Sequence, residues 1–427
     1  MKPILNLCTI YCCFFLFQIS GYAQQESLLP KVQPEAAGMS SSRLAYLDTM
    51  ALEALAQKQV PGMVALVARN GKIVYHKAFG AANAADKPLD LNSIFRIASQ
   101  TKAITSTAVM MLWERGKFQL DDPISKYIPE FKDAQVLDSL LPDGSYTTKP
   151  AARPISIRHL LTHTSGIGYG QIDGDPRFKT IYNNAGVTDL FTTEKITIEE
   201  SVKKLAKLPL HHNPGENFTY SEGLDVLGYF IEIISGKPLD EFFRTEIFEP
   251  LKMNNTFFYL PKEKRDLLVS IQTKKDGEWI DFPTTFYDPD YPKKGKMTFF
   301  SGGAGLSSTP VDYAQFLQMY LNKGILNGNR ILSRTTVDFI LKNQIGDIWK
   351  GNGSHHGLAF SVVDDLGAAK GGKGSAGTFE WGGYFNTQYF ADPEEQLIGI
   401  IMKQTQQVGG DETSWKFRNI VFAAIAD

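Results

Sequence analysis

The stretch Phe95-Arg96-Ile97-Ala98-Ser99-Gln100-Thr101-Lys102-Ala103-Ile104-Thr105-Ser106 reads as the entry to a helix, and it decides how the chain is to be understood. A serine hydroxyl is a poor nucleophile at neutral pH and needs a base within hydrogen-bond reach. Lys102, three positions after Ser99, lies one turn along on the same helical face. Burial of that turn would favour the neutral amine, which can take a proton. Ser-x-x-Lys is common by chance in a chain of this length, so its meaning depends on partners elsewhere.

The surrounding composition is that of a globular protein. The chain has 427 residues, a formal net charge of −2, 43% hydrophobic and 12% aromatic residues, enough for one large or two intermediate domains. Near-neutral charge gives no electrostatic case for binding nucleic acid or an anionic membrane. No repeat or low-complexity tract stands out.

At the N-terminus, Lys2 precedes an apolar run from Ile4 to Ile19, followed by Gly21-Tyr22-Ala23 with small residues at the −3 and −1 positions. This predicts a secretory signal peptide over residues 1–23 and a mature chain over 24–427. The alternative is a membrane anchor, which requires Gln18 to be tolerated within the span. Cys8, Cys12 and Cys13 all fall in this segment. A mature chain would then have no cysteine nucleophile, disulfide or thiolate metal site. Export to a bacterial periplasm, with no stable membrane insertion after cleavage, is the expectation.

Several elements can be placed along the chain. Arg43 to Gln57 has helical apolar spacing behind the potential N-caps Ser40 to Ser42. Val64–Ala68 faces Ile73–Tyr75 across Asn70-Gly71, a strong hairpin signal. The Ser99 helix should run to about Arg115. Segments from about 120 to 298 alternate helices with long loops, including helices opening at Pro154 and spanning Leu224 to Ser235. Asp281 to Lys296, rich in Pro, Tyr, Asp and Lys, is expected to be a substrate-side loop. A helix over Pro310 to Asn322, strands over 358–363, 387–390 and 397–402, and a last helix over Trp415 to Ala426 complete the reading. The economical architecture is α/β of the α+β kind. One antiparallel sheet, from about 36–95 and 300–427, is flanked by helices and stands beside a mainly helical part over about 96–299. Ser99 would lie at the seam, a common place for a pocket.

Two further segments give Ser99 partners. Pro214-Gly215-Glu216-Asn217-Phe218-Thr219-Tyr220-Ser221-Glu222-Gly223-Leu224-Asp225-Val226-Leu227-Gly228 is one, and Gly377-Thr378-Phe379-Glu380-Trp381-Gly382-Gly383-Tyr384-Phe385 is the other. With Ser99-x-x-Lys102, this order resembles the serine β-lactamase and penicillin-binding hydrolase superfamily in its class C-like branch, from about Ala36 to the end. Supporting segments are His159 to Ile167, Ile247 to Met253 and Gly302 to Thr309. The resemblance implies a β-lactamase/transpeptidase-like fold, with Ser99 as the acylated nucleophile and Lys102 as its base or electrostatic partner. It implies Tyr220 as proton shuttle, and the backbone N–H groups of Ser99 and Tyr384 as oxyanion hole. Trp381, Gly382, Gly383 and Glu222 would bind substrate, Gly382 and Gly383 by leaving a strand edge free of side chains.

Two departures from the commoner pattern narrow this reading. Glu222 stands where the second motif usually has asparagine, and Trp381 where the third usually has lysine. Both resemble the family VIII carboxylesterases. Loss of the lysine that anchors a carboxylate favours esters with neutral acyl groups over β-lactams or acyl-D-Ala-D-Ala peptides. The expected activity is therefore hydrolysis of a small-molecule ester or amide through an acyl-enzyme, without cofactor. A β-lactamase, D-Ala-D-Ala carboxypeptidase or D-aminopeptidase is the alternative enzyme, and a non-catalytic cell-wall binding module the alternative of another class.

Other signals are weaker. His159 and His163 are spaced i, i+4, which suits one helical face and zinc, but no third ligand accompanies them. No metal site is expected. His211-His212 and His355-His356 border loops and read as surface positions. Gly371-Gly372-Lys373-Gly374-Ser375 lacks the strand-to-helix context of a phosphate loop and reads as a flexible turn. No Gly-x-Ser-x-Gly occurs, which counts against an α/β-hydrolase elbow.

Overall fold

Asn70 (φ 53°) and Gly71 (φ 72°) both take the left-handed backbone that a type I′ hairpin requires. They join β1 (Gly62–Arg69) to β2 (Lys72–Gly80). In the computed structural model, which describes residues 28–427, this hairpin ends a seven-stranded sheet. The other strands come from the far end of the chain: β3 (Ser354–His356), β4 (Ser361–Val363), β5 (Phe379–Gly383), β6 (Thr387–Asp392) and β7 (Leu397–Met402). Their order is β3-β4-β5-β6-β7-β1-β2, and every neighbouring pair is antiparallel. The signal peptide and the three cysteines expected near the N-terminus lie outside the described residues.

Every residue of β1 is buried, because its two faces serve two cores. Met63, Ala65 and Val67 face a core shared with α1 (Tyr46–Ala56) and α6 (Thr413–Ala423), through Leu47, Met50, Phe417 and Val421. Val64, Leu66 and Ala68 join the larger core, which holds Tyr313, Phe316 and Leu317 of α5 (Pro310–Leu321). That core runs without interruption into the helical region. There α2 (Thr101–Glu114) packs on α4 (Gly223–Ser235), and α4 in turn on α3 (Ile157–Leu161). The molecule is thus an antiparallel sheet flanked by helices, beside a mainly helical layer. A two-residue pairing of Phe95–Arg96 with Ser307–Ser308 ties the start of the Ser99 segment to the loop before α5.

The structure adjusts several boundaries. The first helix is broken at Ala45 into Ser41–Leu44 and α1. The strand expected over 358–363 is confined to Ser361–Val363, because Leu358 N–H bonds Ile340 C=O and Gly357 N–H bonds Phe360 C=O, which bends the chain. The middle region also contains two unanticipated hairpins, Gln135–Leu140 with Tyr146–Pro150 and Gln272–Lys275 with Glu278–Asp281. Their turns at Gly144 and Asp276-Gly277 have positive φ and were readable, but their strands are short and mostly polar.

Leu66→Ala in the doubly covered strand should cost about 3 kcal/mol in urea unfolding, in the range of buried leucine truncations. Ile233→Ala, on the 39% exposed rim of α4, should cost about 0.5 kcal/mol or less.

Candidate active site

The residue before Ser99 has an uncommon conformation. Ala98 is fully buried with φ 42° and opens a single 3-10 turn, Ala98–Gln100, that leads into α2. A non-glycine residue in the left-handed region costs on the order of 1 kcal/mol and persists only where its surroundings impose it. Here the turn sets Ser99 as the one residue between Ser93 and Leu112 that is not buried. Its N–H lies in the first turn, where N–H groups have no intrahelical acceptor.

Lys102 is 4% exposed. Its Nζ donates to Gly303 C=O at 2.8 Å, to the Tyr169 hydroxyl at 2.9 Å and to Ser99 Oγ at 3.3 Å. A protonated lysine has three N–H groups, and three acceptors are in reach. If the amine is neutral, the Ser99 contact can run the other way. The Gly303 peptide is oriented in turn by Asp225, whose Oδ1 accepts from Gly303 N–H at 3.1 Å and from Ser301 Oγ at 2.6 Å. Asp225 is itself buried, and burial raises its carboxyl above the usual range.

Tyr220 stacks into the same site. Its ring centroid is 4.7 Å from Lys102 Nζ, 4.7 Å from the His163 ring, 5.5 Å from Tyr169 and 5.9 Å from Trp381. Its hydroxyl is buried without a protein hydrogen bond, so it touches neither Ser99 nor Lys102 by that route. Catalytic hydrogen bonds are often loose until substrate is bound.

The β5 strand end closes the site. Gly383 pairs with Thr387, and a Cβ there would lie 2.5 Å from Ile97 C=O. Only glycine lets this strand approach the peptide two residues before Ser99. A Cβ at Gly382 would meet nothing closer than 3.4 Å, so that position is not sterically bound to glycine. Tyr384 follows immediately, with its C=O held by Gln406 Nε2 at 2.7 Å. Trp381 packs edge-on against His356 at 5.5 Å. Ser99, Lys102, His163 and Trp381 line one small cavity with Ser106 and His356. The Asp281–Lys296 loop brings Phe282, Tyr287 and Tyr291 against Phe385, beside Tyr384. Buried Arg96 fastens it through Pro289 C=O at 2.8 Å.

Three sequence expectations need correction. Glu222 does not lie on an open substrate surface, because it is only 2% exposed. Burial, with Asp189 and Asp225 beside it, holds its carboxyl well above the usual range. His159 and His163 do not share a helical face, since α3 ends at Leu161 and His163 has φ 56°. His159 Nδ1 accepts from Ser156 N–H at 3.1 Å, whereas His163 Nδ1 accepts from Ser221 N–H at 3.2 Å. His211 and His356 are not surface groups. His211 bonds Asp173 at 3.0 Å and stacks on Phe178, and His356 is buried among Trp349, Trp381 and Phe218.

Tyr169, Asp225 and Gly303 escaped the sequence reading. Glycines on both sides of Tyr169 and the Gly302-Gly303 pair were the available signals. Among the described residues, no three His, Cys, Asp or Glu side chains converge as a metal site.

Comparison with known proteins agrees with this geometry. The Beta-lactamase family model matches residues 47–422. Esterase EstB of Burkholderia gladioli is 31% identical over 392 residues, covering 87% of this chain and 92% of EstB. Lovastatin esterase of Penicillium rubens is 28% identical over 395 residues, covering 86% and 94%. The solved structure of EstCE1, described as a hydrolase with promiscuous acyltransferase activity, superposes with a TM-score of 0.76 at 27% identity, covering 89% of this chain and 98% of EstCE1. A buried Ser-x-x-Lys turn at the seam of sheet and helices, and relatives that match almost end to end, lead to one conclusion: this chain belongs to the beta-lactamase family and is a serine hydrolase.

Proposed function

We propose that the protein is a carboxylesterase that forms an acyl-enzyme on Ser99, and that it acts after export, as the Lys2 to Ala23 segment indicates. The observation that carries the reading is the buried Lys102 Nζ held between Ser99 Oγ, Tyr169 and Gly303. Ser99 Oγ attacks the ester carbonyl while its proton passes to the Lys102–Tyr220 pair. The carbonyl oxygen becomes an oxyanion that the N–H groups of Ser99 and Tyr384 stabilise. Collapse breaks the bond to the alcohol, which leaves with a proton relayed by Tyr220. Water then attacks the acyl-enzyme, giving up one proton to the same pair, and the carboxylic acid departs as Ser99 is restored.

A neutral acyl group is favoured by what happens to nearby cations. Trp381 offers an apolar ring and one N–H where a carboxylate anchor would be needed. Lys403 is fully buried and already bound to Asp411, Thr413 and Ser414. Arg96 is spent on Val269 C=O and Pro289 C=O. Neither is free to take a substrate carboxylate.

A fluorophosphonate probe should label the wild-type chain at Ser99, read by mass spectrometry of the labelled peptide, and leave Ser99→Ala unlabelled. Lys102→Ala and Tyr220→Phe should each lower kcat by about 10²-fold or more; near-wild-type rates would remove them from the mechanism. Short-chain p-nitrophenyl esters should exceed a chromogenic cephalosporin in kcat/KM, and the reverse order would replace the esterase reading with that of a β-lactamase. Gly383→Ala should lower kcat by about 10²-fold by displacing an oxyanion donor.

A further inference from the structure

Glu222 replaces the asparagine of the commoner motif and is only 2% exposed, so its burial needs an explanation. Its neighbours are unusual. Asp189 and Asp225 are both buried beside it, and Lys102 is the cation that acts on the group. Tyr169, Tyr182 and, through Asp173, His211 complete the surroundings. Glu222 Oε1 and Asp189 Oδ1 are both buried with no N–H or O–H donor in reach, and each carboxyl acts directly on the other. Two like charges in such contact away from water cannot both persist, so the pair holds one proton.

The proton belongs on Glu222. Asp189 already accepts from the backbone N–H of Gln171, which favours its ionised form, although burial pushes its carboxyl up to about 6. Glu222 has only the opposing influence of burial and two acidic neighbours, partly offset by Lys102.

The loop that carries Tyr169 is tied to Asp189 through its carboxylate and to Glu222 through its main chain. Gly168 C=O accepts from Glu222 N–H at 3.1 Å, and Gly168 N–H donates to the Tyr182 hydroxyl at 3.2 Å. Tyr169 N–H donates to Asp173 at 2.9 Å, and Gln171 N–H to Asp189. A Cβ at Gly168 would lie 2.4 Å from Asp173 Oδ2, so the loop threads between carboxylates with no side chain to spare. Tyr169 then presents its hydroxyl to Lys102 Nζ.

We propose that Glu222 is a positioning residue: as a neutral acid it donates to Asp189, and so fastens the Gly168–Gln171 loop, with Tyr169, to the segment that carries Tyr220. The proposal rests on the reading of Ser99 and Lys102 as the acyl-transfer machinery. Its pH dependence has a definite sign. Unfolded carboxyl groups release their proton near pH 4, whereas the folded pair keeps one. The stability it contributes is complete below that pH and is lost as pH rises through the folded value of Glu222. Asp189, Asp225, Asp173, His211, Tyr169, Tyr182 and Lys102 also face this cluster, so the effect must be read as a difference between variants.

The test compares wild type, Glu222→Gln and Glu222→Leu, with folding checked by circular dichroism. Glu222→Gln keeps a donor and should retain kcat within about threefold, with a weaker decline at alkaline pH than wild type; Glu222→Leu should lose about tenfold in kcat with little change in KM, the scale of one lost hydrogen bond to a charged group. Infrared difference spectra of wild type against Glu222→Gln should show a protonated-carboxyl C=O band at neutral pH. A missing band, a folded Glu222→Leu with wild-type kcat and pH profile, or a Glu222→Gln as impaired as Glu222→Leu would each overturn the proposal. Fluorophosphonate labelling of Ser99 in the wild type is run alongside. If Ser99 never acylates, the esterase reading fails by itself; if it acylates and the variants behave as wild type, only the role of Glu222 fails.

Discussion

A lysine nitrogen taken out of water must be met by acceptors, and the site is organised around that requirement. Lys102 Nζ finds them on three separate stretches of chain: Ser99 on its own helix turn, Tyr169 on a glycine-flanked loop, and Gly303 on the segment before α5. Each must be delivered by structure that the lysine does not control. Asp225 on α4 turns the Gly303 peptide, and the strand pairing of Phe95–Arg96 with Ser307–Ser308 brings that segment beside the Ser99 turn. Because the sheet and helical layers share one continuous core, these acceptors are held in a fixed relation.

A second constraint is backbone proximity. Ala98 adopts a left-handed conformation, and Gly383 lies against Ile97 C=O. Both place main-chain atoms where side chains would otherwise intervene. The Ser99 and Tyr384 peptides thereby come to one end of β5, and the cost of an uncommon φ is borne by the surrounding packing.

The two departures from the commoner family pattern have different physical meanings. Trp381 puts an apolar face, packed on Tyr220 and His356, where the commoner pattern has a point charge. Glu222 changes what lies beneath the cleft, adding a carboxyl to a buried acidic group already formed by Asp189 and Asp225.

The amino-acid sequence by itself determined the features that depend on local chemistry. The Asn70-Gly71 turn, the capped α5 helix and the Ser99–Lys102 spacing are set by residues within a few positions of one another. The order of the Ser99, Tyr220 and Trp381 segments was enough to indicate the family, and with it the sheet built from both chain ends. Tertiary structure decided what burial controls. His163, Tyr169, Asp225 and Glu222 carry no local sign of whether water reaches them. Glu222 reads as a substrate group until the fold buries it beside the Gly168–Gln171 loop, and His356 reads as a surface position until Trp349 and Trp381 enclose it. Hydrogen-bonding and ionising groups take their roles from their surroundings, and those surroundings here come from segments tens to hundreds of residues apart.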